Sequence, residues 1–137
     1  AAVKAAADPS AWPEHGAPWQ VSKVYYDISL NRARLAALDN AMHAAGMARP
    51  YKAWLSRMED DGRGEADRLT TFIECADYFE VRDQALLAHA TQIDPDGSWF
   101  EVPLDLQREV WPTEDYQLVS STVRTSLPEN DLFAGLR

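Results

Sequence analysis

Apolar positions recur along the chain with two different periods, and these lay out most of the expected elements. Residues 20–26 alternate, with Val24 and Tyr26 on one side and Lys23 and Tyr25 on the other, which is the period of a strand. Over residues 32–45 the period changes. Leu35, Leu38, Met42 and Ala45 recur at intervals of three and four, predicting a helix with one packing face that ends at Gly46. Met42 then reads as core and His43 as a solvated flank. Residues 49–68 begin amphipathic around Trp54, Leu55 and Met58, then run through Glu-Asp-Asp-Gly-Arg-Gly-Glu at 59–65 with little to bury. We expect 59–68 to be a mobile surface loop, since its acidic residues lack the spacing of an EF-hand calcium loop.

The second half is read in the same way. Thr70, Thr71 and Ile73 are β-branched and predict a strand over 70–75. Asp77 is placed to cap a helix over 78–90, with Glu80 reciprocating three residues later and Val81, Ala85 and Ala88 on one face. Asp94-Pro95-Asp96-Gly97 is a turn signal, and 98–102 is a candidate strand beyond it. Pro112 followed by Thr113, Glu114 and Asp115 predicts a short helix, its acids opposing the positive end of the dipole. Leu127-Pro128-Glu129 ends that order and leaves 130–136 as a tail with apolar anchors. At the other end, alanine-rich residues 1–7 read as the tail of a helix whose beginning is missing, too short to persist without packing partners. Trp12 and Trp19 flank a turn-rich connection.

Composition narrows the function classes. The 137 residues make one domain by size, and 13 Lys+Arg against 22 Asp+Glu give a net charge of -9. With no basic stripe to neutralise phosphates, nucleic acid and anionic membranes are not expected partners. The acidity is concentrated late: residues 90–137 hold three basic and nine acidic residues. No apolar run approaches a membrane span, and one cysteine, Cys75, permits no internal disulfide framework and fits a reducing, cytoplasmic setting.

Few residues announce chemistry. His15, His43 and His89 lie 28 and 46 positions apart, without a helical His pair or a Cys/His cluster, so no metal motif is visible within the chain. There is no glycine-rich phosphate loop and no Gly-x-Ser-x-Gly elbow. Cys75 has acidic neighbours that disfavour a thiolate. The polar group that draws attention is His89, Thr91 and Gln92, where a helix end meets a turn. Imidazole, hydroxyl and amide there can contact a polar ligand in a cleft, or can simply satisfy the helix end and brace the turn. Asp77 and Glu80 are read as caps. Trp12, Trp19, Trp54, Trp99 and Trp111 can wall a sugar or thioether pocket, or serve as core and partner contacts.

Longer blocks carry a resemblance. Residues 70–79 (TTFIECADYF), 81–95 (VRDQALLAHATQIDP), 111–116 (WPTEDY) and 127–136 (LPENDLFAGL), with weaker support from 19–26 (WQVSKVYY), make the chain similar to the LmbE-like zinc-dependent deacetylases and mycothiol S-conjugate amidases. The match runs end to end but covers only the C-terminal half of the family pattern. The resemblance implies the C-terminal portion of an α/β, Rossmann-like LmbE-type fold, incomplete as an isolated chain. It also implies a Zn2+ cofactor whose ligands lie outside this chain, because neither the His-Pro-Asp-Asp type nor the His-Pro-Asp-His type segment occurs here. The implied activity is hydrolysis of the amide of mycothiol S-conjugates to a mercapturic acid and glucosaminyl-inositol, as in thiol-dependent detoxification. Deacetylation of the GlcNAc-inositol precursor of mycothiol is the alternative, and a non-catalytic acidic binding or structural domain is another. On this reading the partners are the missing N-terminal segment and a small-molecule thiol conjugate, with a homo-oligomer possible. This chain would supply packing and part of a pocket, to which His89, Thr91 and Gln92 are assigned, and would be inactive alone.

Overall fold

The computed structural model describes residues 1–58 and 68–137. The expected loop over 59–68 therefore lies, apart from Arg68, outside the described residues. Strands β1 (Lys23–Asp27), β2 (Thr71–Glu74) and β3 (Thr113–Ser121) form an antiparallel sheet in the order β1-β3-β2. Asp27 and Thr71 both pair with Tyr116, so the last strand in sequence is central, and a bulge falls between Val24 and Tyr25. The helices given in full by the described residues are α1 (Ala2–Ala6), α2 (Arg32–Ala44), α3 (Lys52–Leu55), α4 (Phe79–Leu87) and α5 (Leu104–Val110), with 3-10 turns at Pro13–His15 and Ala76–Tyr78. This is a mixed helix and strand architecture, consistent with part of an α/β domain. Among the described residues no helix is long and apolar enough to cross a membrane.

Helix α2 follows its pattern. Asn31 caps it by accepting from Arg34 N at 2.8 Å, and Gly46 lies just beyond its end at φ 73, in the left-handed region that favours glycine. Its Leu35, Leu38 and Met42 form a core with Tyr51 and Val102, against which Leu55, Met58, Leu106, Val110 and Trp111 pack. His43 is exposed. Buried polar side chains join this helical core to the sheet. Asp115 on β3 is fully buried and accepts from Asn31 Nδ2 at 2.9 Å, Trp111 Nε1 at 2.8 Å and Thr113 Oγ1 at 2.7 Å. Each of its acceptors is used, which removes most of the cost of burying a carboxylate.

Three local expectations are corrected. Residues from Pro112 onward form the central strand rather than a short helix. The acids that suggested a helix start point to opposite faces of β3, where Glu114 meets Arg34 and Arg82 and Asp115 meets Asn31 and Trp111. Residues 98–102 form turns rather than a strand and lead through Pro103 into α5. Asp77 does not cap α4, which starts after Tyr78 without a side-chain cap, because the chain enters it through the 3-10 turn.

The C-terminal segment is clasped to the sheet. Glu129 N donates to Thr70 O and Phe72 N donates to Glu129 O, both at 3.0 Å, beside a parallel bridge between Thr71 and Glu129. The Glu129 carboxylate accepts from Lys23 Nζ at 2.7 Å, from the Tyr25 hydroxyl and from Thr71 Oγ1 at 3.3 Å. Lys23 and Glu129 side chains are only 2% and 4% exposed. The tail is thus an integral edge of the fold.

Candidate functional site

A cavity of about 480 Å3 opens between one face of the sheet and helix α4. Its walls are Leu30, Tyr78, Phe79, Leu86, Trp99 and Tyr116, its floor carries Arg82, Glu114 and Cys75, and Asp27 and Ser29 complete the lining. Alternation along β3 puts Glu114 and Tyr116 on the same face. Spacings of three and four along α4 put Phe79, Arg82 and Leu86 on one side of that helix. The expected inward face is corrected here: Val81 is 61% exposed and Ala85 and Ala88 are exposed, whereas Phe79 is 1% exposed. An arginine on the inward side hid the true face from the apolar pattern.

Arg82 is accommodated because its guanidinium lies over two rings, 4.2 Å from the Phe79 centroid and 5.0 Å from that of Trp99. Each of its three nitrogens donates: Nε to Asp83 at 2.9 Å, Nη1 to Glu114 at 3.1 Å and Nη2 to Gln107 at 2.9 Å. Arg34, buried on α2, reaches the same carboxylate, with Nη1 to Glu114 Oε2 at 2.8 Å and to Ser29 O at 3.2 Å. Burial works against ionisation of Glu114, but the hydrogen bonds from Arg34, Ser29 and Arg82 outweigh it and hold the carboxyl below its ordinary range. Burial, helped by the Glu114 charge, pushes the Cys75 thiol up and keeps it protonated, a poor nucleophile. The floor is therefore a self-neutralised network, two guanidiniums against Glu114 and Asp83. Such a network offers little to an anion, while the walls offer rings and aliphatic carbon.

His89, Thr91 and Gln92 fall in the turns just after α4, with Gln92 N donating to His89 O at 2.8 Å. All three are exposed, one turn or more beyond Leu86, and none lines the cavity. His15 and His43 are exposed as well, and among the described residues no group of three or more His, Cys, Asp or Glu side chains could hold a metal ion. The described residues thus do not fit a zinc site. Of the five tryptophans, Trp99 lines this cavity, Trp111 packs on the core, and Trp12, Trp19 and Trp54 are exposed. A broader depression of about 800 Å3 lies on the opposite sheet face, between α1 and Val24, Tyr26 and Val119, with only Lys4 and Asp8 charged. Sequence reasoning missed Arg34, Arg82, Glu114 and Tyr116. The available signal was the set Phe79, Arg82 and Leu86 at helical spacing.

No family model matches the chain, and no solved structure matches it. Curated proteins do. The chain is 53% identical over 138 residues to a protein of Streptomyces coelicolor named mycothiol S-conjugate amidase, covering 99% of this chain and 47% of that protein. It is 35% identical to a 1D-myo-inositol 2-acetamido-2-deoxy-alpha-D-glucopyranoside deacetylase of Streptomyces avermitilis, covering 98% of this chain and 45% of that protein. A deacetylase of the same name from Geodermatophilus obscurus is 38% identical, covering 98% of this chain and 46% of that protein. The chain spans about half the length of these proteins, and over that half it is similar to mycothiol S-conjugate amidase and, at lower identity, to the glucopyranoside deacetylases.

Proposed function

We propose that the complete protein containing this chain is a zinc-dependent amidase that hydrolyses the amide of mycothiol S-conjugates to a mercapturic acid and glucosaminyl-inositol. The observation that carries this reading is the 53% identity to the amidase along 99% of the chain, against 35% and 38% to the two deacetylases. The apolar cavity beside α4 supports it, because a conjugate carries a group on sulfur that the deacetylase substrate lacks. In this proposal the zinc ligands lie outside the chain, and no chemical step is assigned to its side chains. Its share is packing and a pocket wall, and the isolated chain is inactive.

His89, Thr91 and Gln92 are proposed as polar pocket contacts in the complete protein. Their exposure at the end of α4, one helical turn from the cavity wall, leaves them available to a substrate held against the rest of the enzyme. The test uses the complete, zinc-loaded protein with a mycothiol conjugate and with the GlcNAc-inositol compound in parallel. Preference for the conjugate supports the amidase, and preference for GlcNAc-inositol establishes the deacetylase instead. Activity toward neither favours the non-catalytic acidic domain. Replacing His89, Thr91 and Gln92 by alanine is expected to lower kcat/KM by about tenfold or more, as loss of buried substrate hydrogen bonds does. Unchanged kcat/KM would remove them from the pocket.

A further inference from the structure

We infer that the cavity between α4 and the sheet is the subsite for the uncharged, apolar group carried on the sulfur of an S-conjugate. The inference rests on the amidase reading and adds to it a location and a chemical class. Charge is the first argument. Arg34, Arg82, Glu114 and Asp83 pair with one another on the floor, and Asp27 adds a carboxylate to the lining, so an anionic occupant would have to break an ion pair to reach a guanidinium.

Hydrogen-bonding capacity is the second. Each of the three Arg82 nitrogens already donates to a protein acceptor, and among the described residues no buried side-chain polar atom lacks a partner. A hydroxyl-rich sugar set against Leu30, Phe79, Leu86 and Trp99 would lose water there without finding replacement partners on those side chains. The deacetylase relatives are named for such a sugar, so this cavity suits the conjugate's S-group and not the glucopyranoside.

Shape is the third argument. About 480 Å3 lies within the range of small-molecule pockets and exceeds what a methyl group fills. Phe79 and Trp99 are fixed by the guanidinium lying over them, which makes a rigid back wall. Tyr78, by contrast, is 67% exposed and stands at the mouth. A packed apolar back and an open mouth accept groups of different size.

The experiment compares S-methyl and S-benzyl mycothiol as substrates of the complete enzyme. Leu86→Trp fills the cavity, and Tyr78→Ala truncates an exposed side chain at its mouth with little risk to folding. Leu86→Trp is expected to raise KM for the S-benzyl conjugate about tenfold or more and to leave the S-methyl conjugate within about twofold, and Tyr78→Ala to weaken the S-benzyl conjugate selectively by a few-fold, about the scale of a lost apolar contact. Equal changes for both substrates, or none, would overturn the subsite. If the wild-type enzyme cleaves neither conjugate, the amidase reading fails separately, and calorimetric titration with S-benzyl-N-acetylcysteine still decides the cavity. Binding that Leu86→Trp weakens about tenfold supports the subsite. Absent binding, or binding that neither variant changes, overturns it, as when the rest of the protein fills the space.

Discussion

Glu114 lies where two cations converge, with buried Arg34 and half-buried Arg82 both on its carboxylate. Removing it leaves the cations facing each other, so Glu114→Ala is expected to destabilise the fold by about 3–5 kcal/mol, while Glu114→Gln, which keeps an acceptor, costs less. Urea denaturation of the three proteins checks the order. Glu129 makes a pH prediction. Burial opposes its ionisation, but hydrogen bonds from Lys23 and Tyr25 overcome this and depress the folded-state value below the ordinary 4.5. For Lys23, burial is again opposed, and the Glu129 bond raises its value above 10.5. A depressed carboxyl stabilises fully above its unfolded value and loses that contribution as pH falls through the folded one. A raised amine does so below its unfolded value and loses it as pH rises. The pair therefore contributes fully between about pH 4.5 and 10.5. Glu129→Gln is expected to lower stability at neutral pH and to flatten the acid limb, read as melting temperature from pH 7 to 3. A parallel acid limb in both proteins would deny Glu129 that role.

At the level of elements, sequence and structure part company over charged residues that fold inward. Helix α2 is legible because its inward positions are aliphatic and its start and end carry Asn31 and Gly46. β2 falls within its expected segment at four residues, and β1 overlaps its own, starting three residues later and ending one later. By contrast, α4 turns inward the face that carries Arg82, and β3 buries Glu114 and Asp115, so polarity misassigned one face and one whole element. The partners of these charges are 32 and 84 residues away in sequence, beyond any local window. The tail makes its own prediction. Gly135 has φ 81, and a Cβ there would meet the Arg124 carbonyl oxygen at 2.8 Å. Gly135→Ala is expected to cost about 1 kcal/mol or more, since alanine is strained at positive φ and the obstructing atom is backbone. An unchanged denaturation midpoint would show that the tail shifts freely.

Across the whole molecule, the C-terminal segment and the Arg34–Glu114–Arg82 network are what join distant pieces of chain. Truncation after Leu127 removes the carboxylate from Lys23 and the bridge from Thr71, leaving a buried ammonium without its acid. In the complete protein this deletion is expected to lower thermal stability more than Glu129→Gln does, because it also uncovers the edge of β2. A smaller effect than that of the single substitution would mean the segment is held elsewhere. By itself, the sequence determined the periodic elements, the acidic balance and the similarity to mycothiol enzymes, since these reside in local spacing, composition and the order of residues along the chain. Tertiary structure decided that β3 is central and that α4 turns Phe79, Arg82 and Leu86 toward a cavity. It also decided that His89, Thr91 and Gln92 stay outside that cavity. Those outcomes depend on charges neutralised across the sheet by partners far away in the chain, and no local pattern records such pairings.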